Sequence, residues 1–171
     1  MRNIETKARV DDLDLVRERA LTVGAQDRGA QRDTDTYFRV FNGRLKLRVS
    51  QGVPGGTLIA YQRPDRRGSR DSDYRLVPIS DPDALREVLS ETLGVLVEVR
   101  KRRHLLIYGA TRIHLDEVED LGTFVELETV LGDQSRDAAE AEHAFLVDAL
   151  GLNAGSTVAG SYSDLLMERN G

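Results

Sequence analysis

No cysteine occurs in the chain, which excludes disulfides, thiolate metal sites and cysteine nucleophiles together. Any bound metal must be held by oxygen or by histidine, of which there are three. Long apolar runs are also missing: none approaches the roughly 20 residues that span a bilayer. The amino terminus alternates charged and apolar residues from Arg2 onward and lacks the apolar stretch of a secretory leader, so cytoplasm is the expected address. Neither G-x-x-x-x-G-K-[ST] nor a G-x-G-x-x-G turn after a strand is present, so any phosphate recognition rests on side chains rather than on a glycine-rich loop. There is no excess of positive charge. The formal net charge is −5, which argues against a nucleic-acid partner gripped through a bulk positive field. Neither a membrane nor a nucleic-acid partner is expected.

What is present is a chain of 171 residues, 40% of them hydrophobic, enough to bury one core, and a single domain over residues 1–171 is expected. Period-2 alternation marks about eight strands, at Asn3–Val10, Asp33–Val40, Arg44–Ser50, Thr57–Arg63, Asp73–Ile79, Val95–Tyr108, Thr111–Val118 and Thr123–Val130. Helical spacing appears at Leu13–Val23, Pro82–Leu93, Arg136–Leu150 and Tyr162–Arg169. Asp81-Pro82 is a good helix start, and Asn42-Gly43 is the strongest hairpin signal, pairing the second and third strands antiparallel. The pattern reads as an α+β fold with a large antiparallel sheet, which has reason to close into a barrel and remove its edges.

Sorting strand residues by parity separates the two faces of that sheet. Arg44, Lys46 and Arg48 share one face of their strand, while Leu45, Leu47 and Val49 take the other. Asn3, Glu5, Lys7 and Arg9 form one face of the first strand. Glu126 and Glu128 share a face with Phe124, and Arg112, His114 and Asp116 share another. Two acids two apart on a strand repel across about 7 Å and gain nothing from an exposed face. A divalent cation would repay the arrangement, and carboxylates suit Mg²⁺ or Mn²⁺, which take further ligands from phosphate oxygens. Glu5, Glu126 and Glu128, with Asp116 next, are the candidate metal ligands; a solvated or salt-bridged acidic face is the plain alternative. Lys7, Lys46, Arg48 and Arg63 could supply the charge-assisted donors that a triphosphate needs. In the run Arg100–Arg103, Lys101 and Arg103 share a face with Val97, Val99, Leu105 and Ile107 and are expected to point inward; Arg100 and Arg102 share the polar face of Glu98 and His104. Histidine offers little to Ser/His/Asp chemistry, since His104 lies on a polar face, His143 lies in a helix among acids, and only His114 shares a face with Asp116.

These residues resemble the CYTH, or triphosphate tunnel metalloenzyme, superfamily, and within it the class IV adenylyl-cyclase-like branch. The resemblance is carried by Asn3-Ile4-Glu5-Thr6-Lys7 for an E-x-E-x-K signature, Asp35-Thr36-Tyr37-Phe38, Gly43-Arg44-Leu45-Lys46-Leu47-Arg48 and Tyr61-Gln62-Arg63-Pro64. Further on it is carried by Lys101-Arg102-Arg103, Arg112-Ile113-His114-Leu115-Asp116, Leu121-Gly122-Thr123-Phe124-Val125-Glu126-Leu127-Glu128 and Ser161-Tyr162-Ser163-Asp164. It implies a closed eight-stranded antiparallel β-barrel with flanking helices, whose tunnel is lined by charge, and a requirement for Mg²⁺ or Mn²⁺. Carried over by position, Glu5, Asp116, Glu126 and Glu128 fall on metal-binding sites. Lys7, Arg44, Lys46, Arg48, Arg63, Lys101 and Arg103 fall on substrate-binding ones, with Lys7 and Arg103 nearest the chemistry. Asn3 departs from the signature, offering a carbonyl oxygen but no charge where the family has its first Glu.

The implied ligand is a small-molecule triphosphate, ATP or polyphosphate. The leading expectation is conversion of ATP to cyclic AMP and pyrophosphate by attack of the 3′-hydroxyl on the α-phosphorus. The alternatives are hydrolysis of tripolyphosphate, thiamine triphosphate or a nucleotide, and a non-catalytic sensor of a polyphosphorylated ligand. Relatives of this kind are often dimeric, so a homodimer is expected by analogy alone.

Overall fold

A computed structural model describes residues 2–62, 70–132, 134–152 and 155–170. In chain order the elements are β1 (Arg2–Arg9), α1 (Leu13–Thr22), β2 (Gln26–Phe38), β3 (Arg44–Ser50), β4 (Gly56–Gln62), β5 (Arg70–Ile79), α2 (Pro82–Leu93), β6 (Val95–Tyr108), β7 (Thr111–Val118), β8 (Gly122–Val130), α3 (Arg136–Ala149) and α4 (Tyr162–Asn170). The strands close into a barrel in the order β1-β5-β4-β3-β2-β6-β7-β8. Every neighbouring pair is antiparallel, and β1 closes the ring against β8 from Asn3↔Val130 to Arg9↔Phe124. Among the described residues no helix is long and apolar enough to cross a membrane.

Two strands and one hairpin differ from the sequence-based expectation: β5 begins at Arg70 rather than Asp73, where it pairs with β1. β2 begins at Gln26 rather than Asp33, because Gln26–Arg32 is exposed throughout and so carries no alternation to read; it is held as a strand by pairing with the far half of β6. Asn42-Gly43 does close the β2–β3 hairpin, but through a wider loop than a two-residue turn, since the ladder ends at Phe38↔Leu45. Gly43 still carries the turn: its φ is +67°, and a Cβ there would lie 2.8 Å from the Tyr61 carbonyl oxygen. Arg63 lies outside the described residues.

The barrel is built inside out. Ala8, Ile113, Leu115, Val125 and Leu127 point outward and are buried with Val16 and Ala20 of α1 and Leu146 of α3, so the apolar core lies between the barrel and its helices. A second cluster of Val99, Val118, Phe124, Tyr37, Tyr162 and Leu166 seats α4. α1 and α3 start on Asp12 and Ser135, whose side chains accept from Leu15 N and Ala138 N, and α2 starts on Asp81 followed by Pro82. Each cap removes an orphan donor at the helix start.

α3 is fastened to the barrel by His143. Its Nε2 lies 2.8 Å from Thr6 Oγ1 on β1 and its Nδ1 lies 2.8 Å from Thr129 Oγ1 on β8. Thr129 Oγ1 is 2.7 Å from Thr111 Oγ1, which donates to Glu142 Oε1 at 2.6 Å. With the Thr111 proton committed to the carboxylate, Thr129 must donate to Thr111 and accept from Nδ1–H, which leaves Nε2 to accept from Thr6. The network thus fixes one tautomer of a neutral ring.

Burial pushes His143 down to a pKa of about 4. The unfolded chain takes up this proton near pH 6.5, so between those values it binds more protons than the folded chain and stability falls as the pH is lowered. The loss over that window is on the order of 3 kcal/mol. Denaturation curves of wild type and His143→Gln should therefore differ most near pH 7 and draw together toward pH 4.5; a constant gap would contradict this role.

Candidate active site in the tunnel

The inward face of the barrel encloses a cavity of about 850 Å³, counting the space open to solvent at its mouths. Its lining carries the basic residues Lys7, Lys46, Arg48, Lys101, Arg103 and Arg112 against the carboxylates Glu5, Asp35, Glu126 and Glu128. Cations outnumber carboxylates, so the cavity suits an anion. Lys46 and Arg48 on β3 and Glu126 and Glu128 on β8 stand four strands apart in either direction around the ring, while Lys7, Arg103 and Arg112 are placed beside the glutamates.

On the basic side one carboxylate holds three cations. Asp35 of β2 accepts from Lys46 Nζ at 2.8 Å, from Arg48 Nε at 2.7 Å and Arg48 Nη2 at 2.8 Å, and from Lys101 Nζ at 2.7 Å. It is 1% exposed. Burial alone would raise its pKa, but Arg48, Lys101 and Lys46 outweigh burial and hold it well below the usual carboxylate range. Lys101 is affected most among its partners: burial, with Arg48 beside it, brings its pKa down to about 7 against the pull of Asp35. Asp33 stands behind this group, its Oδ1 accepting from Ser50 and its Oδ2 3.7 Å from Arg48 Nε.

Arg103 links the two sides. It donates to both oxygens of Asp116, at 2.7 and 2.6 Å, and to Glu126 at 2.9 Å. Asp116 also accepts from Tyr162 Oη at 2.7 Å. Asp116, expected among the metal carboxylates, shares the inward face of β7 with Arg112 and His114 but is covered by Arg103 and Tyr162 and is not in the cavity lining. Lys7 lies 3.4 Å from Glu126 and over the Tyr162 ring. Arg44, expected on phosphate, is tied at 2.7 Å to Asp164 of α4 and is likewise outside the lining. Lys101 and Arg103 are buried, whereas Arg100 and Arg102 point outward to Glu98 and Glu117.

On the acidic side, Glu5 of β1 and Glu128 of β8 are direct cross-strand partners. Like charges placed opposite one another are destabilising. Arg112 at 3.0 Å compensates Glu128, and the His114 ring lies 3.3 Å from it. Burial pushes the Glu128 pKa up, but His114 and Arg112 win and bring it to about 2, so it stays ionised. His114 is buried, and neither ring nitrogen makes a hydrogen bond among the described residues. Also among the described residues, no three acidic or histidine side chains are already grouped around a cation position. The oxygen donors Glu5, Glu126 and Glu128 nevertheless fit a hard divalent ion that draws its remaining ligands from phosphate. Asn3 is buried on the same wall and adds a neutral oxygen there.

Asp35 escaped sequence reasoning as a site residue, although Asp33, Asp35 and Tyr37 share a parity that could have flagged it. The uncharged lining residues Tyr61, Tyr74 and Leu76 escaped for another reason, since apolar side chains on a strand read as core.

A closed barrel whose described lining carries more cations than carboxylates suits a polyanion in its interior. The chain belongs to the CYTH family: the CYTH domain model matches residues 1–162. That family comprises metal-dependent enzymes acting on triphosphates in such a tunnel. A protein of Methanocaldococcus jannaschii, provisionally named an adenylate cyclase, is 25% identical over 174 residues, covering 96% of this chain and 98% of the relative. A protein of Pyrococcus horikoshii OT3 has the same fold, with a TM-score of 0.85 at 21% identity over 95% of this chain and 98% of its own. An adenylyl cyclase homologue from Hippeastrum, described as having a dominant triphosphatase activity, superposes with a TM-score of 0.63 at 15% identity, covering 87% of this chain and 88% of its own.

Removing one charge from a buried ion group strands the rest, at a cost of about 3–5 kcal/mol. Asp35→Asn should lose that much stability in chemical denaturation. A change under about 1 kcal/mol would mean the three cations do not depend on this carboxylate.

Proposed function

We propose that this chain converts ATP to cyclic AMP and pyrophosphate, with its triphosphate held between the basic residues of β3 and β6 and a divalent cation on the β1/β8 carboxylates. The observation that carries this reading is the cross-strand pairing of Glu5 with Glu128 on the cavity wall that also carries, across the ring, Lys46 and Arg48. Such a cation, when bound, would neutralise phosphate charge and acidify the attacking hydroxyl.

The protein's own work is positioning and charge compensation. Lys46 and Arg48 are pre-aimed by Asp35, and Arg103 by Asp116, so phosphate oxygens meet fixed donors rather than free side chains. In the reaction the 3′-oxygen bonds to the α-phosphorus, the bond from that phosphorus to the bridging oxygen breaks, and pyrophosphate leaves. Lys101 donates to Asp35 beside Lys46 and Arg48 and adds a third donor for the phosphates, and the hydroxyl proton passes to water as the new bond forms.

Hydrolysis is the second reading. It is favoured by the triphosphatase activity ascribed to the Hippeastrum protein of the same fold, and it needs the same lining with water as the nucleophile. Incubation of the purified protein with ATP and separately with tripolyphosphate, in Mg²⁺ or Mn²⁺, separates the readings by product. Cyclic AMP with pyrophosphate supports cyclisation, orthophosphate supports hydrolysis, and binding without turnover contradicts both.

Glu128→Ala should abolish metal-dependent turnover, and full activity in that variant would remove Glu128 from the metal site. Lys101→Ala removes one of the three cations gathered on Asp35 and should raise KM for the triphosphate by about tenfold or more. An unchanged KM would remove Lys101 from the phosphate site.

A further inference from the structure

The three histidines of the chain lie in three different surroundings. His104 is on the outer surface, its Nε2 2.6 Å from Asp27 Oδ1. His143 is buried with a threonine hydroxyl on each ring nitrogen, the ordinary condition of a buried imidazole. His114 is 6% exposed and lines the tunnel, yet neither of its nitrogens has a hydrogen-bond partner among the described residues. Burying both ring nitrogens unsatisfied costs free energy that nothing in the described fold returns.

The position of this ring suggests what would return it. His114 on β7 stands directly across from Glu126 on β8, and Glu128, two residues further, faces Glu5 on β1. One imidazole therefore shares a wall with three carboxylates and the amide of Asn3. His114 Nε2 is 3.3 Å from Glu128 Oε2, beyond the roughly 2.7–3.2 Å of an N–H···O bond. Two ligands at right angles around one small divalent ion, each about 2.1 Å from it, stand about 3 Å apart. Ring and carboxylate are thus spaced as neighbouring ligands rather than as donor and acceptor. Arg112 holds the same carboxylate oxygen at 3.0 Å and so fixes where that ligand sits. Carboxylate and water oxygens suit Mg²⁺, whereas an imidazole nitrogen shifts the preference toward transition ions such as Co²⁺ and Ni²⁺.

We infer that His114 is a nitrogen ligand of the cation site, beside Glu5 and Glu128, and that it gives the site a preference for a transition ion over Mg²⁺. This rests on the reading of the β1/β8 carboxylates as a divalent-cation site and adds to it a ligand from a third strand, β7, and a choice of metal.

The test uses the full chain and metal ions alone, without nucleotide. Ni²⁺, Mn²⁺ and Mg²⁺ are titrated calorimetrically into wild type, His114→Gln and Glu128→Ala, with a melting curve of each variant to report that it is folded. His114→Gln replaces the ring nitrogens with an amide that still offers an oxygen. It should weaken Ni²⁺ binding by about tenfold or more while changing Mg²⁺ binding by no more than about twofold. Pulsed electron paramagnetic resonance of bound Mn²⁺ should show coupling to an imidazole nitrogen in the wild type, and the coupling should vanish in His114→Gln. If His114 were only a counter-charge to Glu128, its removal would leave Ni²⁺ binding unchanged or tighter and the wild type would show no nitrogen coupling. That outcome, with binding still lost in Glu128→Ala, overturns nitrogen ligation and leaves the cation site standing. Ni²⁺ binding that survives both substitutions, or a wild type that binds none of the three ions, overturns the cation site as well.

Discussion

Asp35 gathers Lys46, Arg48 and Lys101 within hydrogen-bond distance of one buried carboxylate, and the rest of the structure can be understood from that contact. Three cations out of bulk water repel one another and cannot stay charged without a counter-ion. A second copy of the same solution holds Arg103 against Asp116. The tunnel therefore keeps its positive charge in place before any ligand arrives, with donors already oriented. The cost is desolvation, visible in how far burial lowers Lys101. Charge preorganised in this way is worth more to a bound polyanion than charge on flexible surface chains.

An ionic interior also dictates where the hydrophobic core lies. The inward side chains of β1, β7 and β8 are spent on the site, so their alternate residues, Ala8, Ile113, Leu115, Val125 and Leu127, must be covered from outside. That is the task of α1 and α3. His143 joins α3 to β1 and β8, the two strands that carry Glu5, Glu126 and Glu128. A neutral imidazole, hydrogen-bonded on both nitrogens, is suited to this because it fixes strand positions without adding another buried charge. Stability and site geometry therefore share the same strands, and the helices matter to the carboxylates that they never touch.

Much of this was legible in the chain, because a barrel with one charged and one apolar face writes its architecture into residue parity. The alternation in Arg44–Val49 and Thr123–Val130 located both walls, and the apolar neighbours of Lys101 and Arg103 distinguished them from Arg100 and Arg102. Parity assigns a face but not a neighbour. It could not tell that Asp116 spends its oxygens on Arg103 and Tyr162, or that Arg44 is drawn to Asp164, since those partners come from distant parts of the chain. Asp35 was hidden because a single acid on a strand has no like neighbour to make it conspicuous except Asp33. The first half of β2 was illegible for the opposite reason: exposed on both faces, it has no pattern at all.

The central claim is that opposed walls of one tunnel divide the work, phosphate to the cations and metal to the carboxylates. A crystal structure with Mn²⁺ and a non-hydrolysable ATP analogue, with an anomalous map for the metal, tests it most directly. The account predicts the manganese peak beside Glu5 and Glu128, with phosphate oxygens reaching across to Lys46, Arg48 and Lys101. Manganese away from β1 and β8, or phosphates lodged on the outer arginines Arg100 and Arg102, would contradict it.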